Sequence, residues 1–243
     1  MPGQFYGGTS GIKIPMPKRD FPKEHAEKSR LAYYAHHLNS LEVNNSFYQL
    51  PMAKTVSKWA ADVPLDFRFT FKLWKEITHQ KNLIFKAEDV IRFLHVINIS
   101  AEKRGCLLVQ FPPSVQIGAL GQLEELLQLL STSDWTVAVE FRHNSWYNDK
   151  VYELLNSFQV AMVIQDMPKA PSPLEVTSDE LIYLRFHGPE GNYKGSYSED
   201  LLYEYATYIQ DWLQENKNVY CYFNNTAGDA LNNLNLLKSY LKI

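Results

Sequence analysis

Cysteine, long apolar runs and concentrated positive charge are scarce in this chain of 243 residues. Cysteine occurs only as Cys106 and Cys221, in separate apolar segments and without Cys-x-x-Cys spacing. That excludes a disulfide framework, and both read as reduced core thiols. No stretch approaches the roughly 18 continuous apolar residues needed to span a bilayer. The opening Met1-Pro2-Gly3-Gln4 lacks the charged-then-apolar order of a secretion signal, so a cytoplasmic protein with no membrane partner is expected. Lys and Arg total 24 against 27 Asp and Glu, and no basic run occurs. A polyanionic duplex finds no electrostatic footprint here, so no nucleic-acid partner is expected. A Walker loop, a GxGxxG turn and a Ser-His-Asp order are also missing, which leaves ATP, dinucleotide and serine-nucleophile chemistry without support.

Short apolar segments that end in polar residues are plentiful. In order they are Phe5 to Gly8, Leu41 to Asn44, Phe67 to Lys72, Cys106 to Phe111, Thr136 to Arg142, Val160 to Asp166, Leu181 to His187 and Val219 to Asn224. Most are separated by a helical pattern. Helices are predicted over about Glu24 to Leu38, near Val56 to Ala60, and over Ala87 to Lys103, Gln122 to Leu130, Lys150 to Phe158 and Ser198 to Glu215. A last one starts near Thr226-x-x-Asp229, and Ser196-x-x-Glu199 reads as a capping box for the helix before it. Between the sixth and seventh segments, Pro168, Pro171 and Pro173 remove backbone donors and oppose a helix. The pattern predicts one α/β domain over residues 1–243, an irregular TIM-type (β/α)8 barrel with a helix-poor connection between strands 6 and 7. Its active site is expected at the strand C-termini.

Residues two apart on a strand share a face. Glu42 therefore goes with Asn44, Glu140 with Arg142, Arg185 with His187 and Tyr222 with Asn224, while Leu41/Val43, Val139/Phe141 and Leu184/Phe186 take the helix-facing side. Lys72 and Gln110 follow the same rule. These polar ends are expected to converge in the barrel mouth, with Glu42, Glu140 and His187 as acid/base candidates and Lys72, Arg142 and Arg185 as clamps for negative charge. A purely structural set of ion pairs filling the barrel is the alternative. Asp166 sits one position out of parity, and Gln165 is its substitute. His79 and His143 follow strands and join the candidate rim, whereas His25, His36, His37 and His95 read as helical surface residues. Tyr48, Trp146 and Tyr193 are candidate walls for a sugar-like ligand, in company with Phe47, Trp74, Tyr147 and Tyr197. The loop from His187 to Ser196, with Lys194, and the turn from Asn224 to Gly228 are a candidate phosphate cradle. Glu42, Glu140, Asp166 and His187 supply metal-ligand types, but Lys72, Arg142 and Arg185 would repel a divalent cation. No cofactor is implied.

The runs Glu42 to Pro51, Phe71-Lys72 with Ile77-Thr78-His79, Gln110 to Ser114, Val139 to Trp146, Arg185 to Gly188 with Tyr193 to Ser198, and Tyr222 to Asn225 resemble the domain of unknown function 72 family. The match covers nearly the whole chain. The resemblance implies a TIM-type barrel and a bacterial-style cytosolic protein, and it implies no particular reaction. Ile12 to Met16 depart from the aromatic residues that relatives tend to carry there. The leading expectation is an enzyme with acid/base chemistry on a small anionic or polyhydroxylated substrate. The alternatives are a metal-assisted phosphoester- or sugar-modifying enzyme and a non-catalytic metabolite-binding module.

Overall fold

The structure is a computed structural model that describes residues 2–243. Its strands are β1 (Phe5–Thr9), β2 (Ser40–Val43), β3 (Arg68–Lys72), β4 (Arg104–Gln110), β5 (Thr136–Glu140), β6 (Ala161–Met162), β7 (Ile164–Gln165), β8 (Leu181–Phe186) and β9 (Asn218–Phe223). Every pairing is parallel, in two sheets ordered β1-β9-β8-β7 and β2-β3-β4-β5-β6. The sheets adjoin at two seams. At one, Ser10 bridges Glu42 and Gly11 N–H donates to Glu42 O at 2.8 Å. At the other, Val163 separates β6 from β7 and donates to Val139 O at 2.9 Å, so one short chain segment hands its pairing from β5 to β8.

The helices are α1 (Arg30–His37), α2 (Asn45–Tyr48), α3 (Ala53–Asp62), α4 (Lys75–Thr78), α5 (Ala87–Ile97), α6 (Leu120–Leu130), α7 (Asp149–Ser157), α8 (Glu199–Gln214) and α9 (Ala230–Leu241). Three ends differ from the sequence expectation, each for a local reason. α1 begins at Arg30 rather than Glu24, because Ser29 is its cap and accepts from Ala32 N–H at 3.0 Å. α5 stops at Ile97 rather than Lys103, where a 3-10 segment containing Ala101 at φ 48° takes over. α8 is capped by Ser198, which accepts from Leu201 N–H, while Ser196 donates to Asp229 Oδ2 at 3.1 Å, so the predicted capping box does not form. Asp229 precedes α9 without capping it through its side chain.

Alternation along the strands divides the buried side chains. One large group, including Phe69, Phe71, Val139 and Leu184, fills the space between sheets and helices. A smaller group, with Tyr6, Cys106, Leu108, Tyr183, Tyr220 and Tyr222, occupies the other face. Tyrosines dominate that interior. Tyr6 stacks on Tyr220 at 4.6 Å, and the Tyr222 hydroxyl bonds Ser40 Oγ at 2.5 Å and Thr70 Oγ1 at 2.7 Å. Its polar atoms are therefore satisfied where water has no room. Cys106 and Cys221 are buried and unpaired on opposite faces, and burial pushes both thiols up.

From Asp166 to Glu180 the described chain holds no helix. Side chains take over the backbone hydrogen bonds there: Thr177 Oγ1 accepts from Met162 N–H at 2.8 Å and donates to Val160 O at 2.7 Å, and Ser172 Oγ accepts from Gln165 N–H at 2.8 Å. Gly8 sets the closeness of β1 to β2, since a Cβ there would lie 2.2 Å from Ser40 O. Gly8→Ala is expected to destabilise the fold by about 1–3 kcal/mol through forced backbone separation. Thermal unfolding checks this, and an unchanged Tm would contradict the close approach.

Candidate functional site

At the C-terminal ends of the strands a cavity of about 260 Å³ is lined by Lys72, Gln110, Arg142, Arg185, Asn44 and Asn224, with Phe47, Tyr48 and Tyr193 as its aromatic wall. The strands explain the convergence. Inward parity carries Lys72 from β3, Gln110 from β4 and Arg185 from β8 to one level, and Arg142, Asn44 and Asn224 extend it just beyond β5, β2 and β9. Helix α2 then folds over this rim. Ser46 Oγ lies 2.7 Å from both Val43 O and Lys72 O, which pins α2 to the ends of β2 and β3.

Under the cavity lies a charge network. Arg185 grips Glu42 twice, Nε to Oε2 at 2.9 Å and Nη2 to Oε1 at 2.7 Å, and reaches Glu140 Oε2 with Nη1 at 2.7 Å. The Tyr183 hydroxyl donates to Glu42 Oε2 at 2.6 Å. Glu140 Oε1 pairs with Arg142 Nε and lies 3.2 Å from His187 Nε2. Asn224 Nδ2 lies 3.1 Å from His187 Nδ1, and Arg142 Nη2 lies 3.1 Å from His187 Nε2, so an amide and a guanidinium flank the two ring nitrogens.

Glu42, Glu140 and His187 are 0 % exposed and Arg185 2 %. Burial alone would raise both carboxyls. For Glu42 the charge and hydrogen bonds of Arg185 outweigh it, and for Glu140 the charges of Arg142 and Arg185 do, so both stay below the usual carboxylate value. Burial also opposes the Arg185 charge, yet the two glutamates hold its pKa above the ordinary value. His187 goes the other way. Burial pushes it down to about 4 despite Glu140, and Arg185 and Arg142 add to the fall, so it is neutral near pH 7. Lys72 is lowered to about 7 by burial and then by the charge of Arg185, with Glu140 and Glu42 opposing only in part.

Of the residues expected at the mouth, Asn44, Tyr48, Lys72, Gln110, Arg142, Arg185, Tyr193 and Asn224 all line the cavity. Glu42, Glu140 and His187 belong to the network beneath it. Five others lie elsewhere. Trp146 is buried in the outer core, stacked on Phe141 at 4.7 Å with its Nε1–H donating to Val115 O, so it offers no wall to a ligand. His143 accepts from Ser145 N–H and caps a short turn. His79 sits behind Phe47, edge to face at 4.8 Å, with Nδ1 2.9 Å from Thr78 Oγ1. Asp166 points away from the cavity, accepting from His187 N–H at 2.7 Å and from the Tyr197 hydroxyl, and so positions β8. Lys194 is exposed on the loop surface.

The expected phosphate cradle is also spent internally. Tyr193 N–H donates to His187 O, Ala227 N–H to Tyr193 O, Asp229 N–H to Gly195 O and Gly188 N–H to the Tyr197 hydroxyl, so the two loops bond each other and leave these amides unavailable to an anion. Gly188 at φ +98° makes the fold-back possible, since a Cβ there would meet Lys194 O at 2.4 Å. Tyr183 was not among the candidates. Its parity with Arg185 is the signal that would have found it.

The parallel α/β framework with charged groups at one strand end is of the TIM-barrel type. D-psicose 3-epimerase from Clostridium cellulolyticum H10, whose structure includes D-tagatose, shares the fold with a TM-score of 0.53 at 9% identity, covering 98% of this chain and 96% of that one. Residues 7–243 match the family described as Protein of unknown function DUF72, and the chain belongs to that family. The UPF0759 protein YunF of Bacillus subtilis (strain 168) is 26% identical over 248 residues, 88% of this chain and 86% of that protein. A DUF72 family protein of Enterococcus faecalis V583 superposes with a TM-score of 0.83 at 24% identity, covering 99% of this chain and 96% of that one. Another from Thermotoga maritima MSB8 gives 0.79 at 26% identity, covering 99% and 100%.

Two outcomes are expected. Arg185→Met leaves Glu42 and Glu140 buried without their shared cation and should cost about 3–5 kcal/mol; denaturant unfolding measures it, and adding Glu42→Gln should recover part of the loss. The second concerns pH. The folded pKa of His187, about 4, lies below its ordinary 6.5, so its contribution is present above pH 6.5 and lost as pH falls toward 4. The Tm advantage of the native chain over His187→Gln should therefore shrink across that interval. An advantage that grows on acidification would refute the buried neutral imidazole.

Proposed function

We propose that the chain is one closed-barrel domain, an enzyme performing acid/base chemistry on a small anionic or polyhydroxylated molecule at the barrel mouth. The continuity of pairing through Val163 and the Ser10–Glu42 bridge supports closure. The observation that carries the functional reading is the cavity lining: Lys72, Arg142 and Arg185 face it together, and among the described residues no carboxylate does. Arg142 and Arg185 receive negative charge on the ligand, and the side-chain amides of Asn44, Gln110 and Asn224 meet hydroxyls. Lys72 moves the proton, because near pH 7 it is present in both forms. Glu42, Glu140 and His187 act through the cations they hold, since none of them reaches the cavity. A divalent metal would face three positive groups, which disfavours the metal-assisted reading. The proposed setting is the cytoplasm, with a small molecule rather than a nucleic acid or membrane as partner.

A panel of phosphosugars, lactones and glycosides tests the proposal. Turnover of at least one class is expected, with a break in kcat/KM near pH 7, and Lys72→Arg should lower the rate about 10²–10⁴-fold by replacing a titrating amine with a permanent cation. Turnover that Lys72→Arg leaves intact would remove Lys72 from the chemistry. A panel in which no compound reacts and none raises Tm would remove the enzyme reading.

A further inference from the structure

We propose that the substrate is a small carbonyl compound bearing an anionic group, and that Lys72 Nζ captures it covalently as an imine. This deepens the reading of the same cavity given above and rests on it.

The partners of Lys72 carry the argument. Its Nζ donates to Gln110 Oε1 at 2.8 Å and lies 4.2 Å from the centre of the Phe47 ring. Among the described residues no carboxylate forms an ion pair with it, because the nearby acids are already engaged: Glu42 by Arg185 and Tyr183, Glu140 by Arg142, Arg185 and His187. Lys103 offers a contrast. Its Nζ donates to two carbonyl oxygens, Ala60 O at 2.6 Å and Val63 O at 2.5 Å, away from any cavity lined by cations. Lys72 has a neutral amide for company, cationic neighbours in Arg142 and Arg185, and an open cavity in front of it. Burial and the Arg185 charge weaken its hold on the proton, bringing the pKa to about 7, so a large share of the amine carries a free lone pair near neutrality.

The remaining lining groups are amides, guanidiniums, phenols and one phenyl ring, so among the described residues Lys72 supplies the one amine nucleophile in the cavity. Its lone pair adds to the carbonyl carbon as the π pair moves to oxygen, and a proton passes from nitrogen to that oxygen to give a carbinolamine. Loss of the hydroxyl with a proton, as water, leaves the C=N bond. Water is the sole by-product and no oxidant is needed. A protonated imine restores positive charge beside two guanidiniums, and an anionic group on the substrate set against Arg142 offsets it. That requirement selects the class: a two- to four-carbon aldehyde or ketone carrying a carboxylate or phosphate matches a cavity of about 260 Å³.

The test incubates the full chain near neutral pH with glyoxylate, and separately with dihydroxyacetone phosphate, in the presence of cyanoborohydride, and maps adducts by peptide mass spectrometry. Reduction is expected to fix one adduct on Lys72 roughly tenfold or more faster than on any surface lysine, with excess inorganic phosphate protecting it. The native chain alone answers the question, whether or not Lys72→Arg folds. Adducts spread over surface lysines with Lys72 unmodified would overturn the imine. If phosphate then still raises the Tm of the native chain but not of Arg142→Gln, the anion-binding cavity stands and only the covalent step falls. If phosphate has no effect either, both fall. Catalytic turnover with a break near pH 7 and no trapped adduct would leave Lys72 as a base and overturn the imine.

Discussion

Two glutamates with no solvent exposure share one guanidinium, and the rest of the site is arranged around that fact. Burying Glu42 and Glu140 without a partner would cost several kcal/mol each. Arg185 meets both carboxylates, the Tyr183 hydroxyl donates to Glu42, and Arg142 and His187 lie against Glu140 Oε1. Once the acids are consumed in this way, no carboxylate among the described residues lines the cavity. The cavity is cationic because its counter-charges lie one layer below.

The same constraint explains the unequal fates of the titrating groups. His187 lies between two arginines and one glutamate, and burial decides in favour of the neutral ring. Lys72 sits one layer higher, where burial first and then the charge of Arg185 weaken its hold on the proton, with the glutamates opposing only in part. An amine poised in this way is of little use to stability and of considerable use to chemistry, which is the pattern expected where a buried ionisable group faces an open cavity. The tyrosine-filled interior below completes the arrangement, because its packed rings form the floor under the charge network.

Much of this was legible along the chain. Inward parity named Glu42, Lys72, Gln110, Glu140, Arg142, Arg185, His187 and Asn224, and all of them meet within the mouth or directly beneath it. The residues that strayed, Trp146, His143, His79, Asp166 and Lys194, lie beyond strand ends or out of phase with them, where alternation no longer dictates direction. Trp146 is the clearest case. Its position just after β5 suggested a rim aromatic, but a large apolar ring gains more from stacking on Phe141 than from edging a polar cavity. The helix boundaries failed for a related reason: Ser196 and Ser198 are equally good caps by type, and the bond from Ser196 to Asp229, more than thirty residues away, favoured Ser198.

Which side chains turn inward follows from the two-residue repeat of an extended backbone, a property of each strand taken alone. The partner that each inward charge finds is a matter of distances between strands far apart in the chain. The carboxylates of β2 and β5 both reach the arginine of β8, and the lysine of β3 reaches neither closely enough to pair. That allocation, which leaves both glutamates as buried counter-ions and the lysine without an acidic partner, exists only once the strands stand side by side.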